Sequence, residues 1–204
     1  MLKLILFIAA LGHIICGATD CMMAYSKSGR FEFSDVKDNS KMQKIFSTMS
    51  LKQLEAAMLV GVFALFMSSF GYIAISQYIV KSNAVIGSIM LVAAMFFIVL
   101  ISAHHVLCGS VEWFYVKLGM KEESLKAVTD FFKSTSIAAA AYIGLLVFDV
   151  LLLIMVVTGS TDLSRWACIF NTITMFAILA PTKVPAKGNI ANAFMFIGLA
   201  FFMQ

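Results

Sequence analysis

Long apolar runs decide what this chain can fold into. Residues 4–25, 54–80, 84–107, 137–158, 166–181 and 190–204 are almost free of charge. About 20 such residues in a helix cross a hydrocarbon layer of about 30 Å. The runs are continuous rather than alternating, which predicts helices and argues against a barrel of strands. The expected fold is all-α: a single integral-membrane domain over residues 1–204, a polytopic transmembrane helical bundle of about six spans. The last two runs are the shortest. With 61% hydrophobic and 13% charged residues, no water-soluble class competes.

The charges that remain fall unevenly between the runs. Between runs one and two lie Lys27, Arg30, Lys37, Lys41, Lys44 and Lys52. Lys117, Lys121, Lys126 and Lys133 follow run three, and Lys183 and Lys187 follow run five. Only Lys3, Lys81 and Arg165 fall in the other segments, so the division of the fifteen is twelve to three. Positive charge stays cytoplasmic, which predicts a cell-membrane protein with both termini outside. Residues 1–18 also resemble a secretory signal peptide, with Lys3, an apolar stretch and small residues at Gly17 and Ala18. Cleavage there would export the six-charge segment, so run one is read as a retained helix. The net charge of +4 then reflects topology and contact with anionic membrane lipid. Lys and Arg interleaved with aromatics in a nucleic-acid groove are missing, and no nucleic-acid partner is expected. Four cysteines without CxxC spacing predict no disulfide framework.

Between the runs, Met42, Ile45, Phe46 and Met49 recur at helical spacing and predict a short amphipathic surface helix. Ser50 and Gln53 read as a capping box at the start of run two. The three residues KSN at 81–83 leave room only for a tight hairpin. The segment KEESLKAVTDFFK predicts a helix that continues into run four. There Ala138, Ala141 and Gly144 offer a small-residue face for close packing of runs three and four. Pro181 and Pro185 bracket a turn before the last run.

Two octapeptides echo each other: HIICGATD at 13–20 and HVLCGSVE at 105–112. Internal duplication, a polar site used twice and coincidence are all open explanations. In a helix, positions i, i+3 and i+7 fall within an arc of about 60°. His13, Cys16 and Asp20 therefore share a face, as do His105, Cys108 and Glu112. Gly17 and Gly109 adjoin those faces and would admit a neighbouring backbone. Counting from Lys3 to Asp20 gives roughly 26 Å of rise, and from Asn83 to His105 roughly 33 Å. Asp20 and His105 are thus expected at one depth in the cytoplasmic half, with Glu55, Asn189 and Asn192 near that level. His13 lies closer to the middle, and Asp149 stands apart near the bilayer centre.

The run GATDCMMAYSKSG, followed by MSLKQLEAAMLVGVFALFMSSFGY, resembles a family of bacterial multi-pass membrane proteins known as a domain of unknown function. The likeness is best over runs one and two and rests on Gly17, Asp20 and Tyr25. It implies a six-helix-type bundle and carries no activity or catalytic residue.

Charged groups inside lipid cost about 3 kcal/mol or more and turn toward partners in the bundle interior. Asp20, with His105 or its neighbour His104, is the candidate acid–base pair. His13, Cys16, Cys108, Glu112, Asp149 and Glu55 are candidate ligand-lining residues. Each has a plainer reading: His13 as interhelical glue, Cys16 and Cys108 as small packing residues, and Glu112 as part of the aromatic belt with Trp113, Phe114 and Tyr115. The cofactor, and whether a metal binds, are left open by the residues. As a zinc set, only His105, Cys108 and Asp20 come to hand, one short of a structural site. The reading placed first is a ligand-binding or enzymatic bundle acting on a lipid- or isoprenoid-like substrate from the cytoplasmic leaflet. A small transporter or channel for protons or metal ions comes next, and a structural or partner-binding membrane protein last. The oligomeric state is open.

Overall fold

The computed structural model describes residues 1–203 and is almost wholly helical. Among the described residues, four helices are long and apolar enough to cross a membrane. They are α1 (Leu2–Ala24), α3 (Leu51–Ser82), α4 (Ala84–Lys117) and α6 (Ala138–Val157), the last preceded by α5 (Glu122–Thr135). The remaining helices are α2 (Asn39–Phe46), α7 (Thr172–Leu179) and α8 (Lys187–Phe202). A two-residue hairpin, Tyr25–Ser26 with Gly29–Arg30, turns the chain after α1.

The predicted fifth and sixth spans differ from the first four. Residues 166–181 do not form one helix: a 3-10 segment, Arg165–Phe170, ends at Asn171, and α7 adds only eight residues, about 12 Å of rise. Asn171 makes the break and repairs it. Its Oδ1 accepts from the Ile173 amide at 3.0 Å, capping α7, while its Nδ2 donates to the Asp149 carbonyl oxygen at 2.9 Å. The final helix has sixteen residues, about 24 Å, and the last residue of the run, Gln204, lies outside the described residues. Four spans are thus supported by length.

Helix α1 packs between α3 and α8, and α4 packs between α3 and α6. Phe7 meets Phe201 edge-on, which brings the N-terminal end of α1 beside the C-terminal end of α8. The Tyr72 ring is the hub of the core, edge-on to Phe97, Phe148 and Phe196 at 5.0–5.6 Å. Such pairs contribute beyond simple area burial. Gly144 lets α6 approach α4, since a Cβ there would press on the Ala93 carbonyl and Phe97, and Ala141 is buried beside it. Apolar side chains also cover the outside: Leu4, Phe7, Leu11 and Ile14 on α1, then Leu59, Phe63, Phe66 and Phe70 on α3, are all exposed.

The three lysine-rich segments come together at one end. Asn39 and Gln43 donate to the Met120 carbonyl, and Arg30 reaches the Lys183 carbonyl. Under them a second core forms from Met42, Ile45, Phe46, Met49, Leu54, Tyr115 and Leu125, as the spacing of α2 predicts. Two local expectations are corrected. Ser50 accepts from the Gln53 amide, but the Gln53 side chain donates to the Met22 and Tyr25 carbonyls instead of closing a capping box. Helix α5 does not run unbroken into α6; Ser136 and Ile137 interrupt it. At 81–83 the hairpin is as tight as expected: Asn83 alone separates α3 from α4 and caps α4 through Ile86.

Candidate functional site

At the lysine-rich end, α1, α4, α6 and α8 enclose a cavity of about 430 Å³. Its apolar wall includes Leu65, Phe97, Ile101, Leu145 and Phe176, and its polar side includes His13, Cys16, Asp20, His104, His105 and Asn189. Exposed Arg30 and half-buried Lys187 line it as well. A second cavity of about 310 Å³ runs between α1 and α8. It is almost wholly apolar and shares His13, Pro185 and Ala186 with the first.

The two octapeptides meet across this space, and they do so crosswise. The carboxylate of the first, Asp20 Oδ1, lies 3.2 Å from the histidine of the second, His105 Nδ1. Helical rise makes this possible, since both helices run toward the lysine-rich end. Room for the imidazole comes from Gly61 on α3: any Cβ there would collide with the His105 ring. Its other nitrogen, Nε2, faces the Ala57 carbonyl oxygen at 3.1 Å. The second oxygen of Asp20 accepts from Asn189 Nδ2 at 2.7 Å. Asn189 Oδ1 in turn accepts from His13 Nδ1 at 2.8 Å.

From His13 the polar chain continues inward. Its Nε2 lies 3.1 Å from the Tyr72 hydroxyl, which donates to Asn192 Oδ1 at 2.8 Å. Thr172 donates to the same oxygen at 2.9 Å, and Asn192 is held by donating to the Gly188 carbonyl. The side chains from Asp20 to Thr172 thus form a continuous line of close polar contacts through the core.

The other candidates lie elsewhere. His104 does not face Asp20 as closely; its Nε2 lies 3.4 Å from Cys108 Sγ, one turn along α4. Cys108 borders the cavity but leaves the zinc-type set, in which Cys16 replaces it: one ligand atom each from Cys16, Asp20 and His105 lie within 4.8 Å of one another. Glu55 is exposed and accepts from Trp113 Nε1 at 2.9 Å, away from the cavity. Glu112 lines a separate, small apolar pocket with Phe46, Tyr115 and Phe132. Asp149 sits deeper, 2% exposed, with Oδ1 unpartnered. Neither glycine lies against a backbone as expected: Gly17 meets the Asn189 and Ala186 Cβ atoms at ordinary contact distance, and Gly109 faces the Met58 and Met23 side chains. Gly61, Tyr72, Arg30 and Lys187 escaped the sequence reading. Of the two phenols inside the 54–80 run, Tyr72 and Tyr78, Tyr72 lies nearer its middle and was the one available signal, because a buried Tyr hydroxyl needs a partner.

Fold and site together define an α-helical bundle, apolar outside as well as inside, with a polar cavity lined by both octapeptides near its lysine-rich end. The chain belongs to a family of unknown function, DUF6796, whose profile matches residues 1–203. Among curated proteins and solved structures, none matches it.

Proposed function

We propose that this is a multi-pass membrane protein whose cavity takes a lipid- or isoprenoid-like amphipath from the cytoplasmic leaflet and acts on its polar head at Asp20 and His105. The observation that carries the reading is a pair of neighbouring cavities of opposite character that share His13, Pro185 and Ala186 in their walls. A polar one with Arg30 and Lys187 suits an anionic head, and an apolar one between α1 and α8 suits a chain. Their sizes fall in or near the range of small-ligand sites, roughly 300–1,000 Å³, enough for a head and one chain rather than a whole two-chain lipid. The membrane setting rests on the four apolar helices and their exposed apolar faces, since soluble proteins keep exposed apolar patches small. Orientation with both termini outside rests on the twelve-to-three charge division.

The test is retention. Protein purified in mild detergent should carry a single-chain or isoprenoid amphipath detectable by mass spectrometry of its extract. Asp20→Asn should keep the fold while losing turnover of that molecule, and Leu65→Trp should block its retention. An extract that mirrors the bulk membrane, in the wild type as in Leu65→Trp, would refute the reading.

A transport reading is favoured by one feature: the line of polar side chains from Asp20 to Thr172 points toward the break at Asn171 and the unpartnered Asp149 Oδ1. Broken helices and buried carboxylates mark ion paths in membranes. Proton flux into liposomes that is lost in Asp149→Asn would select this reading over the first.

A further inference from the structure

The geometry points to a zinc site formed by Cys16, Asp20 and His105, with an open coordination position facing the cavity. It deepens the reading of that cavity as the functional site. Two acceptors compete for the hydrogens of the His105 ring. The Ala57 carbonyl can only accept, so His105 Nε2 must carry a hydrogen. A neutral ring then turns the bare lone pair of Nδ1 toward a carboxylate oxygen 3.2 Å away. Two lone pairs at that separation need a proton or a cation between them. A cation is the better fit because a third donor is present: the Cys16 sulfur belongs to the same group of ligand atoms.

The surroundings match what a metal site needs. Metal-bound histidines almost always give their other N–H to a carbonyl or carboxylate, as His105 does to Ala57. Ligating carboxylates are themselves hydrogen-bonded, as Asp20 is by Asn189, whose amide is oriented in turn by His13. Cys16 and His105 are buried, while the Asp20 side chain keeps 35% of its exposure, which supplies an entry route from the cavity. Sulfur, nitrogen and oxygen donors together favour zinc over magnesium or calcium, which take oxygen alone. Three protein ligands leave a position open, as in zinc sites that act on a substrate.

Charge also balances. Without metal, a neutral thiol faces an imidazolium and a carboxylate, with no net charge. Binding Zn²⁺ releases the thiol proton and the proton on Nδ1, leaving thiolate, carboxylate and neutral imidazole around a dication, again with no net charge. A neutral assembly is the form an apolar bundle tolerates best. Zinc held there would polarise the head of a ligand in the cavity.

Cobalt substitution of the full chain in detergent or nanodiscs tests the assignment. Metal-free protein titrated with Co²⁺ should develop a thiolate-to-cobalt charge-transfer band at stoichiometric metal, and Zn²⁺ should displace it. Cys16→Ser, which keeps shape, should abolish the band; Cys108→Ser should keep it. His105→Gln and Asp20→Asn should weaken binding at least tenfold, and Asn189→Leu by about 10–100-fold, the range for outer-shell partners. Each variant is compared only after its melting curve shows a folded bundle, and if Cys16→Ser does not fold, His105→Gln decides. No band in folded wild type, or a band that survives Cys16→Ser or depends on Cys108, overturns the assignment. Metal binding without a retained amphipath would sink the lipid reading alone, and an amphipath without metal would sink the zinc site alone.

Discussion

Gly61→Ala is the sharpest test of how His105 is seated. By helix propensity alone, Gly to Ala within α3 should stabilise by about 1 kcal/mol. The structure reverses the sign. The new Cβ would fall inside the space of the His105 ring, against Nε2 and both flanking carbons. The ring must move, with an overpacking cost of about 1–3 kcal/mol. It also loses its bond to the Ala57 carbonyl, about 1 kcal/mol net. The balance is a loss of roughly 1–3 kcal/mol, or about 3–10 °C in melting temperature for a chain of this size. The four free cysteines permit a thiol-reactive dye to follow unfolding in detergent. In a His105→Ala background the same change should be neutral or stabilising, a coupling of about 2–4 kcal/mol. Gly188→Ala, with nothing within 4 Å of its new Cβ, is the control and should not lower the melting temperature. A Gly61→Ala protein as stable as wild type would refute this seat for His105, and with it the contact to Asp20.

Three further outcomes are expected. Asn171→Ala removes a cap worth about 1 kcal/mol and the second hydrogen bond on the Asp149 carbonyl, which keeps its bond within α6, for about another 1 kcal/mol; an unchanged melting curve would mean that the break in the fifth run is not held by Asn171. In the first lysine-rich segment, the Lys41 hydrogen bond, aided by the Glu32 amide, holds the Asp35 carboxyl below its ordinary value of 3.8 and raises Lys41 above 10.5. A depressed carboxylate contributes stability above its unfolded value and loses it as pH falls through the folded one. Protease protection of residues 26–50 should therefore hold at neutral pH and fade only in acid, and Asp35→Asn should remove that acid step; opening near neutrality would contradict it. Cysteines introduced at 27–41 should be labelled only after cells are permeabilised, and labelling of intact cells would invert the orientation.

How much of this could be read from the residues depends on the range of the forces involved. Long apolar runs are local, so the first four helices were legible, α6 to within a residue at each end. The meeting of Asp20 with His105 followed from counting rise along two helices from their ends, a one-dimensional argument that survives packing. What failed was lateral. Cys16 and Cys108 occupy equivalent places in the two octapeptides, yet only Cys16 joins Asp20 and His105, because α4 turns Cys108 toward His104. Glu55 shared the right depth but sits on the outer face, where Trp113 takes it. The notch at Gly61 and the bridge through Asn189 join residues far apart in the chain. The break at Asn171 was hidden because its apolar neighbours read as one span; only the Asp149 carbonyl, 22 residues earlier, gives the Asn side chain its reason to leave the helix.

Photo-crosslinking tests the central claim most directly. A single-chain anionic amphipath with a diazirine near its tail is added to the protein in bilayers, irradiated, and its adducts mapped by peptide mass spectrometry. Adducts are expected inside the two cavities, at residues such as Leu65, Ile101, Ile190 and Ala193, reduced by Leu65→Trp and by competing unlabelled amphipath. Adducts confined to the outer stripes, at Leu59, Phe63 and Phe66, and indifferent to competitor, would contradict it.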